Sequence, residues 1–139
     1  MGQILRGSTI ESDSAVGVKE QVAERIMVVD DNRDAADALS EALQFLGYQT
    51  QVAYDAFNAL EKVAQFKPQV MLLDIGMPGM DGYELTRRLR SMPELGKPRL
   101  IAVTGMAQDS DRTRAIQAGF DEHFVKPLDL ARLEFILSR

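Results

Sequence analysis

The sequence predicts an α/β fold: a doubly wound, five-stranded parallel sheet of strand order 2-1-3-4-5 with five helices. Three observations predict it. Short apolar runs alternate five times with helix-like segments within residues 25–139, and such alternation builds a parallel sheet crossed by helices. The runs at 26–29, 70–73 and 100–103 are almost wholly apolar, as strands covered on both faces are. The run at 49–53 alternates polar and apolar residues, so it belongs at an edge. Order 2-1-3-4-5, a known order of doubly wound sheets, satisfies right-handed crossovers with this run at the edge.

Each element has its own signal. Residues 1–24 mix Ser, Gly and charge with scattered Ile and Val and hold no period, so they read as a tail or linker; a helical lead-in over 18–25 is the weaker alternative. After the first strand, Leu39, Ala42, Leu43 and Leu46 recur at helical spacing, and Gly47 stops the helix. Asp55 is placed to N-cap a second helix carrying Phe57, Leu60 and Val63 or Ala64. The loop 77–82, with Pro78, Gly79 and Gly82 as turn residues, leads to a helix with Leu85 and Leu89. Arg87, Arg88 and Arg90 read as its solvated face. A polar helix follows the fourth strand and ends at Gly119. The last strand, 122–125, carries His123 and Phe124, and Leu130, Leu133 and Leu137 mark the last helix.

Composition narrows the function. The chain has 139 residues, 45% hydrophobic and 27% charged, enough for a domain with a real core. A net charge of −5 argues against nucleic acid as partner. There is no cysteine, which removes disulfide and thiolate chemistry and suits a reducing, cytoplasmic setting. No apolar run has the roughly 18 residues that mark a membrane span. No G-x-G-x-x-G follows the first strand, against a dinucleotide site, and residues 76–82 lack the G-K-[ST] of a phosphate-binding loop.

The chemistry lies at the ends of the strands. Asp30, Asp31, Asp74, Thr104 and Lys126 stand at or just past the C-terminal ends of four apolar runs. In an open parallel sheet those ends share the edge where ligands bind. Three clustered carboxylates repel one another unless a cation neutralises them. An all-oxygen, anionic donor set suits a hard ion such as Mg²⁺. A metal, a carboxylate, a hydroxyl and a lysine together can handle a phosphoryl group.

Four blocks carry a family resemblance: VVDDN at 28–32, LLDIGMPGMDG at 72–82, VTGMA at 103–107 and HFVKPLD at 123–129. In this order and spacing they resemble the receiver domain of two-component response regulators, with its flavodoxin-like fold, over residues 25–139. The resemblance implies a phosphorylation-switched signalling domain rather than an enzyme acting on external substrates. Asp74 would accept the phosphoryl group from a histidine kinase, a histidine phosphotransfer protein or a small phosphodonor, forming an acyl phosphate. Asp31 would ligate Mg²⁺ directly and Asp30 through water, with Asp74 and the Gly76 carbonyl completing the protein ligands. Thr104 would donate its hydroxyl to the phosphoryl group. Lys126 would pair first with Asp74 and then with that group, and the Lys126–Pro127 bond is expected to be cis. His123 stands where the family usually places an aromatic that turns inward on phosphorylation. Gly105 would leave room for that ring, and Gly76 and Met106 hold positions that tune access of hydrolytic water. The docking rim would be Asn32 and Ala35 on the first helix and Pro127 and Leu128 on the last loop, with Leu128 as anchor.

Two other classes compete. A Mg²⁺-dependent phosphohydrolase of the haloacid dehalogenase type also uses an Asp nucleophile after a strand, but it needs a second Asp two residues on, where Gly76 stands. A phosphorylation-independent docking module would not need the whole set of five residues. A stand-alone regulator and a receiver from a hybrid sensor kinase both fit.

Overall fold

The computed structural model describes residues 24–105 and 109–139. The tail over 1–23 and Met106 lie outside the described residues. Five strands are present: β1 (Arg25–Val29), β2 (Gln49–Ala53), β3 (Val70–Asp74), β4 (Arg99–Thr104) and β5 (Glu122–Val125). They form one parallel sheet of order β2-β1-β3-β4-β5. Between and after them run α1 (Arg33–Phe45), α2 (Ala56–Phe66), α3 (Gly82–Arg90), α4 (Asp109–Ala118) and α5 (Leu130–Leu137), with a short 3₁₀ turn at Pro93–Leu95. The predicted doubly wound sheet and its strand order are therefore present.

Alternating strand side chains divide the core into two layers. Ile26, Val28, Leu72, Ile101 and Phe124 face one side and pack with Leu43 of α1 and Leu133 and Leu137 of α5. Met27, Met71, Leu73 and Leu100 face the other, with Ala59 and Val63 of α2, Leu85 and Leu89 of α3, and Ala115 of α4. Cutting one of the fully buried leucines to Ala should cost about 2–5 kcal/mol.

Polar side chains set the helix starts. Asn32, Asp55, Asp81 and Asp129 are the N-caps of α1, α2, α3 and α5, each accepting a backbone N–H of the first turn. The α1 helix ends before Gly47, whose φ of 104° is the left-handed geometry that glycine tolerates.

Two expectations fail here and a third is extended. Phe57 does not face the core but is 58% exposed, because α2 buries Ala56, Ala59 and Val63 instead. Small residues let α2 lie close to the sheet, and the helical turn then carries residue 57 outward. Arg90 is not on the solvated face of α3. Its guanidinium binds Gly119 O at 3.0 and 2.8 Å, Pro98 O at 2.9 Å and Asp121 at 2.8 Å. Arg87 and Arg88 do lie in solvent, paired with Glu84. Gly82 is more than a turn residue: a Cβ there would stand 2.8 Å from Ile75 Cα and 2.9 Å from Asp74 O. Only glycine lets the start of α3 rest on that backbone.

Candidate functional site

The strand ends meet as parallel pairing requires. Register places Val29 beside Leu73 and Asp74 beside Val103. Asp30 and Asp31 therefore follow β1 where Asp74 ends β3, and Thr104 ends β4 one residue beyond. Asp30 is held by its own N–H on Ala53 O and by the Asn32 N–H on its carboxylate at 2.9 Å. One carboxylate oxygen from each of Asp30, Asp31 and Asp74 lies within 4.8 Å of the others. Lys126 reaches across from the end of β5, and its ammonium sits 3.4 Å from Asp30 and 3.8 Å from Asp74. Its backbone N–H binds Thr104 O at 2.7 Å, which ties the lysine loop to the strand carrying the hydroxyl. The Lys126–Pro127 peptide is cis.

Electrostatics mark the cluster as short of positive charge. Burial pushes the Asp74 carboxyl up to about 6, and the neighbouring Asp30 carboxylate pushes the same way. The Gly76 N–H, 3.1 Å from Asp74 Oδ1, and Lys126 oppose the rise without cancelling it. An all-oxygen donor set with surplus negative charge fits a hard divalent cation. Gly76 is solvent-exposed beside Asp74.

The remaining predicted residues lie around this cluster. Thr104 is buried at the site edge. His123 is half-buried on β5, opposite Ala102 in register, and stands three residues back from Lys126. A Cβ on Gly105 would meet nothing within 4 Å, so there is room beside Thr104. Ala35, Pro127 and Leu128 line one groove of about 360 Å³ together with Ala38, Leu39 and Ala42, and it opens onto Asp30 and Lys126. Leu128 is half-buried and also packs on the α1–α5 core layer, so it serves the fold as well as the groove. Asn32 is not a lining residue of this groove; its side chain caps α1 by accepting the Ala35 N–H at 3.1 Å.

Sequence reasoning missed two kinds of residue. Ala38 and Ala42 extend the groove along α1, and their spacing from Ala35 was the available signal. Gly82 supports the Asp74 backbone and donates its N–H to Ile75 O at 3.0 Å; a poor helix former at a helix start was the hint.

Comparison with known proteins agrees with this geometry. The response regulator receiver domain family matches residues 26–138, and the chain belongs to that family. Response regulator MprA of Mycobacterium ulcerans is 37% identical over 119 residues, which are 83% of this chain and 50% of that protein. The chain thus spans about half the length of the curated relatives it matches. The chemotaxis protein CheY4 of Vibrio cholerae shares the fold, with a TM-score of 0.80 at 24% identity over 85% of this chain and 98% of that one. The receiver domain of sensor histidine kinase PA1611 from Pseudomonas aeruginosa PAO1 has a TM-score of 0.76 at 30% identity, over 85% and 97% of the two chains. That structure has a magnesium ion coordinated in its active-site cleft. Among the described residues, no helix is long and apolar enough to cross a membrane.

Proposed function

We propose that this receiver domain is a switch set by a phosphoryl group accepted on Asp74 in the presence of Mg²⁺. The observation that carries the reading is the cluster of three carboxylates facing the single ammonium of Lys126. Asp31, Asp74 and the carbonyl of Gly76 would hold the ion directly and Asp30 through water, and the magnesium in the PA1611 receiver cleft supports a metal at this place. When bound, Mg²⁺ neutralises the surplus charge and offsets the repulsion between the carboxylates and the incoming phosphoryl oxygens.

The chain's own residues do the rest. An Asp74 carboxylate oxygen attacks the phosphorus of a phosphohistidine in line. The new O–P bond forms as the N–P bond breaks, and the imidazole leaves with the electron pair and takes up a proton. Lys126 pairs with the transferred group, and Thr104 donates its hydroxyl to one phosphoryl oxygen. No group among these five acts as a general base, and phosphoryl transfer needs positioning and charge neutralisation more than one. Space beside Gly105 lets Thr104 move, and a rotamer change of His123 carries the signal onward. The donor is a cytoplasmic histidine kinase or histidine phosphotransfer protein. Its helix docks in the groove of Ala35, Pro127 and Leu128, an apolar patch ringed by polar groups.

Acetyl phosphate with Mg²⁺ should label Asp74 and no other residue, as read by intact mass and peptide mapping. Asp74→Asn and EDTA should each abolish the label. Equal labelling of the variant, or labelling indifferent to EDTA, sinks the proposal, and turnover of a phosphomonoester would favour the phosphohydrolase. Docking separates from chemistry by donor. Ala35→Glu should slow transfer from a phosphorylated histidine protein by roughly tenfold, the size of one interface hot spot, and spare labelling by acetyl phosphate.

A further inference from the structure

The α4 helix meets the core through small side chains. Its buried residues among those described are Ala115 and Ala118, two of the smallest apolar side chains, while Ile116 is 62% exposed. Polar contacts from α3 add to this burial. Two side chains of α3 reach it. Arg114 of α4 stacks its guanidinium 4.1 Å from the centroid of the Tyr83 ring, a cation–π contact. Arg90 binds the Gly119 carbonyl just past the end of α4. Tyr83 is only 4% exposed and directly follows Gly82. Gly82 in turn lies against the Asp74–Ile75 backbone so closely that no Cβ fits.

We infer that α3 is a rigid bar joining the Asp74 backbone to α4, with Gly82 as the positioning residue at one end and the Tyr83–Arg114 stack as the releasable contact at the other. The Arg90–Gly119 contact is the fixed pivot. A shift of the Asp74 loop moves Gly82, which moves the Tyr83 ring beneath Arg114. This route is a property of the fold and does not depend on phosphorylation.

Amide hydrogen exchange on the whole chain tests it. Arg114→Gln removes the cation and keeps a polar, exposed side chain. The stack is worth about a two- to fivefold change in local opening. Amides of residues 112–118 should therefore exchange faster by that factor in Arg114→Gln. Arg112→Gln, on the same helix, should leave them unchanged, and Arg114→Lys should restore part of the protection. Coupling is reciprocal, so the Gly82 amide should also exchange faster in Arg114→Gln. Unchanged α4 amides, an equal effect from Arg112→Gln, or a loosened α4 with an unmoved Gly82 amide each overturns the inference. Gly82→Ala closes the cycle by pressing on the Asp74–Ile75 backbone. It should speed α4 exchange in the wild-type background and add little in Arg114→Gln. Equal factors in both backgrounds would refute the link. If Gly82→Ala does not fold, the Gly82 amide in Arg114→Gln decides alone.

Discussion

The two ends of the sheet use charge in opposite ways. At the N-terminal ends of the strands, the arginines are spoken for. Arg25 donates to the carbonyls of Phe66 and Lys67 at 3.0 and 2.9 Å, closing the end of α2. Arg99 donates to Ile136 O at 2.8 Å near the end of α5, and Arg90 binds two carbonyls and Asp121. These are fixed cations on carbonyls at helix ends and turns, where positive charge stabilises. At the C-terminal ends, three carboxylates share the cleft, among the described residues, with the ammonium of Lys126. One end has its charges satisfied and holds the fold; the other keeps a surplus and is ready for a ligand. The difference teaches where to look for function. It is found where like charges are held together against their repulsion, not where charges are most numerous.

Removing a charge should therefore change stability with opposite sign at the two ends. The largest effect is expected at the basal end. Arg90→Ala leaves the Gly119 and Pro98 carbonyls without this donor and should lower stability by about 1–3 kcal/mol, measured by denaturant unfolding. A neutral outcome would show that solvent replaces the guanidinium and would erase the contrast.

Asp74→Asn should act the other way. In metal-free protein at neutral pH it should raise stability by on the order of 1 kcal/mol, because it removes a charge that is costly to desolvate and is repelled by Asp30. The effect should depend on pH. The folded-state value of Asp74 is raised from 3.8 to about 6, so its ionisation opposes folding. That penalty is absent below about pH 4 and grows as pH rises through about 6. The advantage of the variant should accordingly vanish in acid. A gap independent of pH would mean that ionisation of Asp74 is not its cause.

A smaller effect is expected at Asp31, which is exposed where Asp30 and Asp74 are nearly buried. Asp31→Asn should raise metal-free stability by only a few tenths of a kcal/mol, since exposed charges are screened. Its sharper signature is linkage. Mg²⁺ should raise the melting temperature of the wild type, and the variant should lose most of that rise. An undiminished response would remove Asp31 from the metal site.

Much of this was legible along the chain. Alternating apolar runs and helical segments named the fold, because strand and helix periods differ and parallel strands need crossovers. The alternation at 49–53 found the edge strand. Asp55 as an N-cap and Gly47 as a stop are local chemistry, and both stand as read. The juxtaposition of Asp30, Asp31, Asp74 and Lys126 followed once the strands were parallel, since the topology brings their ends together. What was not legible depended on contacts between distant segments. Phe57 has the spacing of a core residue, but close packing of Ala56 and Ala59 turns it outward. Arg90 carries no mark distinguishing it from Arg87 and Arg88, and only the position of Gly119, 29 residues away, selects it.

The sequence alone thus determined the class of fold, the strand order and the group of residues at the strand ends, because these follow from periodicity, handedness and residue chemistry. Tertiary structure alone decided that Gly82 must lack a side chain, that Ala38 and Ala42 join Ala35 in a groove, and that Tyr83 lies under Arg114. Each of these depends on distances across the packed interior, which a one-dimensional pattern does not carry.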